Sequence, residues 1–234
     1  MPENSKKIVI GLSGGMDSAT LLGDFIDQGY RDIHCCIFHY GSKHNSYENL
    51  AALNVIEFYR HRIEIPGLKI YDHKMDLAIV MKDFNSALLL QGEEIPEGHY
   101  NDNSMKKTVV PGRNLIFASL MAGLAESIGA AIVGLGVHSG DHHIYPDCRP
   151  DFINSLNQTI SYSTEQKVKI IAPFEKLDKG DILLKGFNFL PVVPYHLTRT
   201  CYKDQKKSCG KCGSCIERLE AFEKVGVTDL IDYE

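Results

Sequence analysis

The sequence predicts an α/β fold: a parallel sheet of five strands with helices on both faces, followed by a small C-terminal metal-binding module. Three observations predict it. Short β-branched runs alternate with stretches of helical spacing along most of the chain. A glycine-rich turn stands directly behind the first of those runs, and four of the seven cysteines crowd into residues 201–215. A length of 234 residues suffices for a sizeable core in one domain plus an appended piece. The α/β domain is expected over residues 1–195 and the cysteine module over 196–234, packed on it.

Lys7-Ile-Val-Ile-Gly11 reads as a buried parallel strand. After the turn, Ala19, Leu22, Phe25 and Ile26 repeat at helical spacing until Gly29 stops the helix. Ile33–Phe38 is the second strand, Tyr47–Tyr59 the second helix and Leu68–His73 a weaker third strand. Residues 83–110, rich in Asn, Gly, Glu and Ser, break the rhythm and read as a long loop or lid. A helix is predicted over Leu115–Ile128, capped by Gly129, then a strand over Ala131–Val137. A polar loop over His138–Pro150 leads to a helix over Asp151–Ser161. Val168–Ile171 is the fifth strand, and Lys179–Lys185 begins a short helix.

Composition narrows the function. The net charge of −5 gives no general attraction for nucleic acid, so no direct nucleic-acid partner is expected; the only basic stretch runs from Arg199 to Lys211. No apolar run approaches the length of a membrane span. The first seven residues lack the apolar segment of a signal peptide, so a cytoplasmic protein is expected. Cytoplasmic cysteines are not read as disulfides.

Ser13-Gly14-Gly15-Met16-Asp17-Ser18 lies between a strand and a helix, where backbone N–H groups and the helix dipole favour an anion. Two glycines allow close approach to phosphate, and Ser13 and Ser18 supply hydroxyl donors. Asp17 would repel phosphates unless a cation intervened, which implies Mg²⁺. The Gly-Lys-Ser/Thr ending of a Walker loop is absent. A plain glycine turn with a helix cap explains one of these polar residues and leaves the others without a role.

Cys201, Cys209, Cys212 and Cys215 carry two overlapping Cys-x-x-Cys spacings and a fourth thiolate upstream. That set suits tetrahedral Zn²⁺ in a closed, structural site, while an iron–sulfur cluster has similar ligands. Cys35 and Cys36 lie on a core strand and need no function. Cys148 is either a nucleophile or, more simply, a small buried thiol.

The loop resembles that of the PP-loop, or N-type ATP pyrophosphatase, superfamily. The resemblance implies a Rossmann-like, adenine nucleotide alpha hydrolase-like sheet, and cleavage of ATP between its α and β phosphates with transfer of AMP to a substrate oxygen. It further implies that Leu12, Ser13, Gly14, Gly15, Met16, Asp17, Ser18, Ala19, Thr20, Leu21 and Leu22, with His39 and Tyr40, surround the nucleotide. With Pro111–Asn114, Tyr145–Pro150 and Cys201–Phe222 added, essentially the whole chain resembles the 7-cyano-7-deazaguanine synthase family. Its members are ligases that convert 7-carboxy-7-deazaguanine, with ammonia and ATP, through the amide to the nitrile (preQ0) used in queuosine biosynthesis. Ser13, Asp17, Ser18, Arg113 and Lys179 are then the expected catalytic groups, Arg113 and Lys179 as clamps on phosphate or developing charge. Arg113, Asn114, Asp147 and Arg149 are expected at the substrate: Asp147 on the guanidine-like edge, Arg149 on the carboxylate. The bland alternatives are a local Asp147–Arg149 salt bridge, helix capping by Arg113 and Asn114, and a solvated Lys179. A homodimer is also expected from the resemblance.

Two segments depart from the family pattern. His138-Ser-Gly-Asp-His-His-Ile144 replaces an Asn-x-x-Asp-Tyr-Ser-Gly stretch, and Thr198-Arg199-Thr200 replaces Thr-Trp-Ser. Arg199, His142 and His143 are therefore candidates for altering the substrate or adding acid–base groups, with neutral variation as the alternative. A relative that stops at the amide, or passes the activated carboxyl to an amine of a partner protein, is the competing reading. A module that binds nucleotide without turnover is a third, opposed by the intact loop.

Overall fold

Strand β1, Lys7–Gly11, is central because both its faces are apolar: Ile8 and Ile10 enter one buried cluster and Val9 the other. The computed structural model describes residues 6–62, 64–99, 103–165 and 167–234, with the backbone alone at Asn103. The reading of the first residues as a leaderless terminus thus falls mostly outside the described residues. Strands β2 (Asp32–His39), β3 (Lys69–Asp76), β4 (Ile132–Gly134) and β5 (Lys169–Ile171) join β1 in an all-parallel sheet of order β3-β2-β1-β4-β5. The chain winds outward through β2 and β3, then returns across β1 to start again at β4. This is the Rossmann-like arrangement, and it opens a crevice where the winding reverses, at the C-terminal ends of β1 and β4.

Helices α1 (Met16–Asp27), α2 (Asn45–Arg60), α6 (Lys179–Phe187) and α7 (Gly213–Val225) cover one face. Phe25, Val55, Ile56, Leu183 and Phe222 meet there. Helices α4 (Arg113–Ile128) and α5 (Pro150–Ser163) cover the other, through Met121, Ala122, Ala125, Ile153, Leu156 and Ile160. A single turn, α3 (Ala78–Met81), follows β3.

Three expectations change. Residues 83–110, in their described part, are a packed segment: Leu88, Leu89, Met105 and Val110 are buried in the second cluster, and Asn103–Thr108 forms a 3₁₀ turn. Polar composition hid these few apolar anchors. Helix α7 was not foreseen, because the cysteine spacing obscured its onset; Ala221 and Phe222 place it in the same core as α6. By length and composition Ser104–Ile128 would suffice to cross a membrane, contrary to the sequence reading. The stretch is divided at Pro111-Gly112, where Gly112 has φ 62°, and Ala118, Met121, Ala122 and Ala125 of α4 are buried.

Candidate active site

One pocket occupies the crevice. Its floor is the turn between β1 and α1, where Gly14 has φ 84° and a Cβ there would lie 2.5 Å from the Glu48 carbonyl oxygen of α2. Glycine is required for both reasons. Ser13 and Ser18 hold the turn together. Their Oγ atoms are 3.1 Å apart, the Ser13 N–H donates to Ser18 Oγ at 3.2 Å, and the Gly15 N–H donates to Ser13 Oγ at 3.3 Å. Asp17, in the first turn of α1, keeps a buried Oδ1 with no hydrogen-bond partner.

Around Asp17 stand groups delivered by three distant segments. Lys179 begins α6 behind a capping box made by Asp178 and Asp181, and its buried Nζ lies 2.6 Å from Glu217 and 3.4 Å from Asp17. Burial works against the ammonium charge, but Asp17 and Glu217 outweigh it and hold Lys179 above the ordinary lysine range. His138 follows β4; its Nε2 lies 3.6 Å from Asp141, 3.8 Å from Asp17 and 3.9 Å from Glu217. Lys179 is therefore not a solvated lysine.

At the other end of the pocket α4 presents Arg113, whose guanidinium donates to Tyr40 Oη at 3.4 Å and lies 5.8 Å from the Tyr40 and Tyr145 ring centroids. His44 and Glu48, from the start of α2, face the same space with Phe117, Thr200 and Tyr202. Burial pushes the Glu48 carboxyl up to about 7, opposed by Arg113. Burial, aided by Arg113, pushes His44 down to about 4.

Of the residues expected at the nucleotide, Leu12, Ser13, Gly15, Asp17, Ser18 and Tyr40 line the pocket. Met16, Ala19, Leu21 and Leu22 are buried in the first core, and Thr20 bonds to Tyr195 Oη at 2.8 Å. His39 faces a separate hollow with Lys74 and Asp76, because alternate residues of β2 point to opposite sides. Of the residues expected at the substrate, Arg113 and Asn114 line the pocket, whereas Asp147 and Arg149 are not among its lining residues. Asp147 Oδ2 accepts the Asn114 N–H at 2.8 Å, so it caps α4, and Asn114 Nδ2 reaches the Asp147 carbonyl at 3.0 Å and Cys148 Sγ at 3.2 Å. Arg149 Nε donates to the His142 carbonyl on the surface. Burial pushes the Cys148 thiol far up, which suits a packed thiol more than a nucleophile. Among the histidines of the unusual loop, His138 enters the pocket; His142 and His143 are not among its lining residues.

Sequence reasoning passed over His44, Glu48, His138, Asp141 and Glu217. His44 and Glu48 had a legible signal, a polar i,i+4 pair opening the helix behind a strand end. Glu217 had none, since a glutamate two residues beyond a cysteine reads as a solvated helix face.

The four cysteines sit against the pocket wall. Their Sγ atoms all lie within 4.8 Å of one another and are buried, a set able to hold a metal ion. Backbone N–H groups of Cys209 and Cys212 donate at 3.3 Å to the sulfurs of Cys201 and Cys209. The segment just before Cys201 anchors the phosphate loop: the Arg199 N–H donates to the Gly14 carbonyl at 2.8 Å. The Arg199 side chain donates to the carbonyls of Lys203, Gln205 and Lys206 and lies over the Tyr47 ring. It thus fastens the module to α2.

The family model described as "Queuosine biosynthesis protein QueC" matches residues 7–226. A 7-cyano-7-deazaguanine synthase of Pseudoalteromonas atlantica is 41% identical over 230 residues, 98% of this chain and 99% of its own length. One from Methanoregula boonei is 42% identical over 229 residues, 97% of this chain and 99% of the relative. One from Caldicellulosiruptor saccharolyticus is 42% identical over 228 residues, covering 97% and 96%. A match running through the phosphate loop, the pocket and the cysteine cluster places the chain in the QueC family.

Proposed function

We propose that the protein is a cytoplasmic ATP-dependent carbon–nitrogen ligase that converts 7-carboxy-7-deazaguanine and ammonia to 7-cyano-7-deazaguanine. The observation that carries the reading is the end-to-end likeness to relatives bearing that synthase name. The pocket supports it chemically, because it joins an anion-binding turn to an arginine-bearing aromatic cleft.

The reaction needs two displacements at phosphorus. In the first, a carboxylate oxygen of the substrate attacks the α-phosphorus, and the bond to the bridging oxygen of pyrophosphate breaks. Ammonia then adds at the carboxyl carbon and AMP departs with the oxygen, leaving the amide. In the second, the amide oxygen attacks another ATP; AMP again carries the oxygen away, and the nitrogen gives up both protons to form the nitrile. The residues fit this division. Ser13, Ser18 and the backbone N–H groups of the turn hold phosphate oxygens, and Lys179 offsets the charge that grows on leaving pyrophosphate. The orphaned Asp17 Oδ1 suits Mg²⁺, which would supply charge neutralisation at the phosphates. Arg113 pairs with the substrate carboxylate, Asn114 helps to orient it, and Asp147 and Arg149 organise the loop behind them. His138 Nδ1 accepts the Gly140 N–H, so Nε2, facing three carboxylates, is the nitrogen that carries the hydrogen and steadies them, and the protons of the nitrile step leave to water.

We assign the four-cysteine site to one structural Zn²⁺. Zinc–sulfur bonds of about 2.3 Å in a tetrahedron put sulfurs about 3.8 Å apart, and Cys209 Sγ and Cys215 Sγ are separated by 4.0 Å. Such spacing supports a single ion over a multi-iron cluster. Nothing observed favours transfer to a protein amine over free ammonia.

Mass spectrometry of the reaction with 7-carboxy-7-deazaguanine, Mg-ATP and ammonium tests the reading. Nitrile with AMP is expected; amide as the sole product, or no AMP, would overturn it.

A further inference from the structure

Resting on that reading, we propose that Glu48 is the specificity-determining residue that grips the N1–H and 2-amino edge of the deazaguanine, with its carboxylate accepting both hydrogen bonds. The substrate is flat and two-ended. Its carboxylate must face the α-phosphate, and its far edge presents adjacent N–H donors that only an acceptor can satisfy. A carboxylate matches two parallel donors in the bidentate manner in which it meets an arginine fork.

Three acids line the pocket. Asp17 and Asp141 belong to the phosphate end, within 3.8 Å and 3.6 Å of His138. Glu48, whose backbone backs onto the phosphate loop, is not among the carboxylates around His138, and the charge its carboxyl feels is that of Arg113. Its Oε2 is shut off from solvent and makes no hydrogen bond; the nearest basic atom, His44 Nε2, is 3.4 Å away without hydrogen-bonding geometry. A carboxylate buried without its hydrogen bonds is costly unless a ligand completes it. The desolvation that raises its pKa to about 7 expresses that same lack. Arg113 and Glu48 thus offer opposite charges within one pocket to a substrate that carries both a carboxylate and a row of N–H donors. Tyr40 and Tyr202 supply aromatic walls beside them. Asp147, the residue expected for this role from the sequence, spends Oδ2 on the α4 backbone and is not among the lining residues. Adenine does not suit the same carboxylate, because its amino group neighbours a lone pair at N1 and two acceptors would face each other.

The test uses the full chain with its metal. Wild-type turnover of 7-carboxy-7-deazaguanine is measured first, and its absence would overturn the synthase reading independently of Glu48. Given turnover, the wild type is expected to discriminate by a factor of at least about ten in kcat/KM against the analogue lacking the 2-amino group. Glu48→Gln, which turns one acceptor into a donor, should raise KM for the carboxylate substrate by about ten- to a hundredfold and abolish that discrimination. KM for ATP and the metal content should stay as in the wild type. Glu48→Asp, which keeps the charge, should restore part of the selectivity. Unchanged discrimination in Glu48→Gln, or a rise confined to KM for ATP, would overturn the proposal.

Discussion

Asp17 shows how much one side chain carries. Its Oδ1 has no hydrogen bond to lose, and Lys179, 3.4 Å from Oδ2, keeps Glu217 at 2.6 Å as its closer partner, so Asp17→Asn should still fold. Pyrophosphate release should nevertheless fall by about a hundredfold or more, since the amide binds a hard cation weakly beside phosphates. A pyrophosphate-coupled assay checks this, and wild-type release would remove the metal-anchoring role. Arg218 is the opposite case. It is fully buried, donates through Nε and Nη2 to both oxygens of Asp229 at 2.6 and 2.9 Å, and bonds to Thr198, Thr200 and the Tyr195 carbonyl. It ties the C-terminal tail to the wall of the pocket. Arg218→Ala leaves the Asp229 charge buried and should cost about 3–5 kcal/mol. Urea unfolding measures it; a loss near zero would mean the pair contributes nothing net.

At the level of elements, the edge of the sheet contains a histidine pair. His34 of β2, whose register partner is Tyr71, lies diagonally across from His73 of β3, its Nδ1 2.8 Å from His73 Nε2, and Asp32 meets the other His34 nitrogen at 3.1 Å. Burial lowers the His34 pKa below its ordinary 6.5, against the raising effect of Asp32. Below that ordinary value the unfolded chain therefore binds a proton that the folded chain still refuses. Stability is complete above it and declines as pH falls toward the folded pKa. Urea midpoints taken between about pH 7.5 and 5.5 should fall, and His34→Gln should flatten the slope. An equal slope in the variant would assign the effect to other groups.

Across the whole molecule, the cysteine cluster and the phosphate loop are one mechanical unit. Cys201 follows the strand of backbone that bonds Gly14 through Arg199, and Glu217 of α7 reaches Lys179. Cys212→Ser should lower bound zinc and thermal stability together, and KM for ATP should rise severalfold as the Arg199 anchor loosens. Normal zinc content, by atomic absorption, would sink the ligand assignment. An intact KM in a zinc-poor protein would separate the two halves.

Local order was legible in the sequence wherever one element explains itself. Ile8–Ile10, the glycines of the phosphate loop and the cysteine spacing each state their requirement within a few neighbouring residues, because strand burial, close phosphate approach and tetrahedral ligation are local demands. The alternation of strands and helices then fixed the fold class, since parallel strands need covered faces and crossover helices. What tertiary structure decided is which polar groups meet. Asp147 and Arg149 looked like substrate residues, yet one caps a helix and the other lies on the surface. Glu48, Asp141 and Glu217, which sequence reasoning passed over, line or flank the crevice. Side-chain direction depends on where α2, α4 and α7 dock against the sheet, and that follows from packing between segments far apart in the chain, which local pattern does not encode.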